Sequence, residues 1–156
     1  MAMSYSFQLY CKGEQTDIDK FWELIEKAVA DNEISVEESN VDRDGELVGR
    51  DFLFNETGGK KAYTPFLEFM EKFPNISFFF FVGNIESSVS PNCAAGYYIF
   101  KGSFLVEKEE SDWFSFSDNY DGEEDNQPEA WEAMDSERTD WVTIVVRRRF
   151  DLWKIA

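Results

Sequence analysis

The stretch Ile76-Ser77-Phe78-Phe79-Phe80-Phe81-Val82 constrains this chain more than any other. Successive side chains of a strand point to opposite faces of its sheet, and here both faces are apolar. An antiparallel strand with one wet face alternates apolar and polar residues, whereas a strand covered on both faces reads as a continuous apolar run. The run is also far short of the roughly 20 residues that span a bilayer. A fold for this chain must therefore carry 76–82 through the middle of a sheet and cover it from both sides.

There is material to do so. The 156 residues include 16 Phe, 5 Trp and 6 Tyr, aromatics that disordered chains of high charge lack, and the length suits one domain spanning 1–156. Tyr5, Phe7, Leu9 and Cys11 alternate with Ser4, Ser6, Gln8 and Tyr10, which predicts a half-buried strand. Thr16 followed by Asp19 approximates a capping box, and Ile18, Phe21, Trp22, Ile25 and Val29 form one helical stripe ending near Asp31-Asn32. Segments 34–40 and 46–54 flank Asp44-Gly45, a hairpin signal. A second helix is expected over 61–73, with Pro65 in its first turn and Pro74 beyond its end. Lys101-Gly102-Ser103 joins two further strands, 97–100 and 104–107. Trp113 to Phe116 reads as a short strand, 118–128 as an acidic loop and 128–136 as a short helix. Trp141 to Val146 is β-branched enough to favour a strand. A helix also fits there, since Val142, Val146, Phe150 and Trp153 would share one face.

The order β-α-β-β-α-β over the first 82 residues is the ferredoxin-like order. The expected class is thus α+β, a ferredoxin-like antiparallel sheet with two main helices on one face, extended by extra C-terminal hairpin strands. From Phe52 to Asp112 three motifs follow one another: Phe52-x-Phe54-x-Glu56-Thr57, then Phe73-Pro74-x-Ile76-x-Phe78-x-Phe80, then Ala95-Gly96-Tyr97-Tyr98-x-Phe100-Lys101-Gly102. This progression resembles a ferredoxin-like family encoded on plasmids and phages, whose activity is undefined. The resemblance covers under half the chain, and Ser87 to Pro91 replaces that family's acidic-glycine loop. It implies the fold and an origin on a mobile element, and it transfers no functional residue.

The net charge of −17 repels nucleic acid and anionic membrane and draws in basic partners. Direct DNA or RNA binding needs phosphate-facing Lys and Arg, so neither nucleic acid nor membrane is an expected ligand. Two cysteines, Cys11 and Cys93, make no disulfide framework. The first residues carry no signal-peptide pattern, and a reducing, cytoplasmic setting is expected.

The chain has no histidine, which removes the commonest general acid/base and all Ser-His-Asp or Cys-His arrangements. Gly58-Gly59-Lys60-Lys61 could hold an anion ahead of a helix, yet a loop before a basic helix start is the preferred reading, since glycines before helices are routine turn chemistry. Asn40 to Asp51 resembles a calcium loop through Asn40, Asp42, Asp44, Gly45, Glu46 and Asp51. Its first position is Asn and its last is Asp51, shorter than the usual Glu, so a hairpin turn with no metal and no cofactor is expected. Nothing singles out one pair of carboxylates for glycoside chemistry among 32 acids.

The charge is unevenly spread. Residues 107–140 hold 14 acids against only Lys108 and Arg138, with Trp113, Phe114, Phe116, Tyr120 and Trp131 threaded between them. Aromatic anchors within a charged rim are how tight, steered interfaces are built. The expectation is a non-enzymatic acidic binder occupying a basic surface of a protein partner, either a mimic of nucleic-acid charge or an immunity-type inhibitor of a nuclease or other nucleic-acid-binding enzyme. Its partner-binding residues would be Glu109, Glu110, Asp112, Trp113, Asp118, Tyr120, Asp121, Glu123, Glu124, Asp125 and Trp131. Three alternatives stand beside it: aromatics that are core with acids that merely solubilise, a small enzyme or ligand-binding domain using an aromatic pocket with carboxylates or calcium, and a structural or assembly subunit.

Overall fold

A computed structural model describes residues 3–34, 36–44, 47–56, 61–85, 94–112 and 140–156. The elements run β1 (Met3–Lys12), α1 (Gln15–Ala30), β2 (Val36–Asp44), β3 (Leu47–Glu56), a 3₁₀ turn (Thr64–Phe66) leading into α2 (Leu67–Met70), β4 (Ser77–Ile85), β5 (Ala94–Lys101) and β6 (Phe104–Asp112). A π-helical stretch (Val142–Arg147) then continues into α3 (Arg148–Ile155). The described strands make one six-stranded sheet in the order β2-β3-β1-β4-β5-β6, and every neighbouring pair is antiparallel. The chain is α+β.

The phenylalanine run sits where its composition demands. β4 lies between β1 and β5, and Phe78, Phe79 and Phe80 are all fully buried. Phe78 and Phe80 face a core shared with Phe7, Leu9 and Cys11 of β1, Phe52 of β3, and the inner faces of α1 and α2. There Phe21 meets Phe78 at 4.8 Å between ring centroids and Phe66 meets Phe80 at 5.8 Å. Phe79 faces the other way, into a second core with Tyr10, Tyr97, Ile99, Val146, Phe150 and Trp153. Each fully buried Phe contributes roughly 1.5–3 kcal/mol of transfer free energy. β1 is therefore covered on both sides too, since Tyr10 lies 4.5 Å from the Phe150 ring.

The N-cap of α1 is Glu14, whose side chain makes no capping bond, two residues before the expected Thr16. Asp19 is not part of a capping box either; its Oδ1 accepts from Gln15 Nε2 at 2.8 Å. Asp17 in the first turn and Lys27 in the last suit the helix dipole. The helix ends as expected at Asp31-Asn32. Asn32 takes φ 59, Asn32 N–H bonds Val29 O at 3.2 Å and Glu33 N–H bonds Ala28 O at 2.8 Å, the paired bonds of a Schellman ending.

Two expectations need correction. The second helix is one 3₁₀ turn and one α turn rather than a helix over 61–73. Its apolar spacing still seats Phe66, Phe69 and Met70 in the core, but the backbone needs only two turns to do it. Trp141 to Val146 is helical, not a strand. β-branched residues merely lean toward strands, and context overrides that lean. Here the context is the aromatic second face of β1, β4 and β5, which needs a roof. Val146, Phe150 and Trp153 supply it from one helical stripe.

Candidate partner-binding surface

β6 carries the first of the acids. Gly102 opens its hairpin with φ 58, the conformation a two-residue loop of the II′ type asks of its first position, and Lys101 pairs with Phe104 across it. A register shift opposite Ile99 and Phe100 leaves Val106 as the extra residue of a bulge. Beyond it Ile99 pairs with Glu107, Tyr98 with Lys108, Tyr97 with Glu109 and Gly96 with Glu110. A Cβ on Gly96 would collide with the carbonyl oxygen of Glu109, so glycine lets β6 close on β5. Among the described strands β6 is an outer edge of the sheet.

Alternation sends the carboxylates of β6 to both faces. Glu107 faces α3, where its Oε2 accepts from Tyr97 OH at 2.5 Å and from Arg149 Nε at 2.7 Å. The bond from Arg149 and then that from Tyr97 hold the Glu107 carboxyl below its ordinary range. Burial, and next the bond to Glu107, pushes Tyr97 up to about 12. Glu110 faces the other core. Its Oε2 accepts from Tyr98 OH at 2.6 Å and Lys61 Nζ at 2.7 Å, and its Oε1 from Lys108 Nζ at 3.0 Å. Burial by itself would raise this carboxyl, but the three donors, Lys61 first, outweigh it and bring it down to about 2.

The predicted partner-binding residues thus separate. Glu110 is engaged inside the fold, tying β6 to the segment that leads into α2. Glu109 is exposed. Asp112 ends the β5–β6 ladder opposite Ala94. Trp113, Asp118, Tyr120, Asp121, Glu123, Glu124, Asp125 and Trp131 lie outside the described residues, as do the elements expected over 113–136. The structure adds Phe104 and Val106, 72% and 58% exposed on the same strand. Their signal in the sequence, Phe104-Leu105-Val106 directly after a hairpin glycine, marks the strand but not which face stays open.

The other motifs resolve as follows. Asn40 to Asp44 and Leu47 to Asp51 run as paired strands, with Asn40 opposite Asp51 and Asp44 opposite Leu47, while Gly45 and Glu46 lie outside the described residues. Residues 58–60 and Cys93 also lie outside them, and Lys61 is the donor to Glu110. Cys11 is buried, and burial raises its thiol well above the ordinary value, which makes it unreactive. Among the described residues no three His, Cys, Asp or Glu cluster to hold a metal, and no helix is long and apolar enough to cross a membrane. No family model, curated protein or solved structure matches this chain.

Proposed function

We propose that this chain is a non-enzymatic acidic binding protein that occupies a basic surface of a protein partner, as a mimic of nucleic-acid charge or as an immunity-type inhibitor. The observation that carries the reading is the charge of residues 107–140, with 14 acids and five aromatics in one segment, entered through a strand whose Glu109, Phe104 and Val106 are exposed. Carboxylates steer a basic partner in, and aromatics slow its release. A ferredoxin-like reading of the fold belongs to the same proposal. It is supported by the order β2-β3-β1-β4 of the first four strands, with α1 and α2 packed on one face and β5 and β6 added beyond β4.

The test is surface plasmon resonance on proteins captured from the native host. A genuine partner carries a basic cleft and associates faster at low salt, because screening shortens to about 8 Å at physiological ionic strength. Reversing Glu123, Glu124 and Asp125 to Lys is expected to slow association about tenfold or more with no change in the thermal melt. An unchanged association rate, independent of salt, would mean that the segment only solubilises the protein.

A further inference from the structure

The C-terminal helical segment has two apolar faces. Val146, Phe150 and Trp153 are buried against the sheet. Away from them, Ile144, Arg148, Leu152 and Ile155 recur at intervals of four, four and three, the spacing that stacks side chains along one face. Ile144 and Leu152 are each 55% exposed and Ile155 is 82% exposed. One exposed aliphatic needs no explanation, whereas a row of them marks a contact surface. The segment is also basic within an acidic chain, with Arg147, Arg148, Arg149 and Lys154 against Asp151 across 141–156. Arg147 and Lys154 share Asp151, at 3.3 and 3.0 Å, and Arg149 holds Glu107 at 2.7 Å. Arg148 is exposed and forms no ion pair among the described residues.

We propose that this ridge is a two-fold contact between two copies of the chain, packed α3 against α3 and antiparallel. A two-fold contact places the same patch on itself, and the stripe is self-complementary in that arrangement. With the axis between Arg149 and Phe150, Ile144 meets Ile155 of the partner subunit and Arg148 meets Asp151 of the partner subunit. Leu152 then lies along the aliphatic stem of Arg147 of the partner subunit. A second copy is favoured over other occupants by charge. The segment offers both Arg148, without an ion pair among the described residues, and the half-exposed Asp151, so a copy of itself answers both, while an anionic bilayer would meet a chain of net charge −17. The ridge extends at most about 16 Å, at 1.5 Å per residue, so the contact is small and belongs to the weak, transient class.

This inference stands apart from the proposed function, and salt distinguishes the two. Two copies of net charge −17 repel at long range, and salt screens that repulsion. The dimer therefore tightens as salt rises, where a basic partner would be released. Sedimentation equilibrium of the full chain, from micromolar to millimolar protein at low and high salt, reads it directly. The expected result is a monomer–dimer equilibrium strengthened by salt, abolished in Ile155→Glu and in Leu152→Glu, and weakened about tenfold in Arg148→Glu, which sets a carboxylate against Asp151; such a factor is usual for a lost charge pair. Thermal melts of each variant, expected to match the parent because these side chains are exposed, confirm that it is folded. A monomer under all conditions would overturn the proposal and leave the ridge to another protein or a lipid surface. A dimer indifferent to both Ile155→Glu and Leu152→Glu would overturn it equally.

Discussion

Glu110 shows how little a residue's type says about its employment. Its carboxylate takes bonds from Lys61, Tyr98 and Lys108, so it is bound more tightly when ionised in the folded chain than in the unfolded one. A carboxyl brought down to about 2 from the ordinary value near 4.3 stabilises the fold fully above about pH 5 and loses that contribution as pH falls toward 2. Glu107 is shifted the same way. Urea midpoints measured between pH 7 and pH 3 are expected to fall, and Glu110→Gln should flatten that slope while lowering the neutral midpoint. Tyr97 has the opposite sign: with its phenol near 12, its contribution is present below about pH 10 and lost as pH rises through 12. Gly96→Ala drives a methyl into Glu109 O and is expected to cost about 1–3 kcal/mol, the usual range for overpacking, read by chemical denaturation. The sequence reveals that acids are abundant after residue 107. It does not reveal that Lys61, 49 positions upstream, has claimed one of them.

At the scale of elements, legibility follows burial. α1 reads correctly because a stripe of Phe21, Trp22 and Ile25 buries one helical face and the period survives any choice of cap. α2 reads too long because its apolar spacing specifies only which side chains go inward. The segment from Trp141 through α3 is the instructive case, since the β-branched run Val142 to Val146 points to a strand while the four-residue spacing of Val142, Val146 and Phe150 points to a helix. The decision lies with residues 40 to 140 positions away, the open aromatic face of Tyr10, Phe79, Tyr97 and Ile99. Phe150 sits in the middle of that contact, 4.5 Å from Tyr10, 5.0 Å from Phe79 and 5.8 Å from Trp153. Phe150→Ala is expected to cost about 3–5 kcal/mol and to raise dye binding by uncovering the sheet. Phe104→Ser, on an exposed side chain, should stay within about 0.5 kcal/mol of the parent. Equal losses for the two, measured by thermal melts, would contradict the assigned burial.

Across the whole molecule, the sheet was legible because the strand 76–82 required neighbours on both sides, and the alternating run from Tyr5 to Cys11 and the strand leading into Gly102 supplied them. The candidate surface was legible only as a density of charge. Both outer strands of the described sheet are acidic in sequence, with Glu37, Glu38, Asp42 and Asp44 in β2 and Glu107, Glu109, Glu110 and Asp112 in β6. Charged edges discourage sheets from joining edge to edge, so part of the negative charge protects the fold before it serves any partner. Neutralising Glu109 and Asp112 to Gln and Asn should therefore raise light scattering at high concentration even where partner binding is unaffected.

Lys12 donates to the backbone oxygens of Trp153 and Ala156, and Trp153 Nε1 donates to Ser77 Oγ at 2.9 Å, so the first strand and the last helix hold one another. Translation cannot make both at once. A ribosome adds about 5–20 residues each second, and β1, β4 and β5 emerge on the order of seconds before α3. Throughout that interval the nascent chain displays Tyr10, Phe79, Tyr97 and Ile99 with no roof, a sticky sheet in a crowded cell. Chains truncated after Asp112 should be captured by hydrophobe-binding chaperones far more often than chains that carry the helix through Ile155, and slowing translation before Asp140 should lower the soluble yield of a protein whose finished surface is otherwise richly charged.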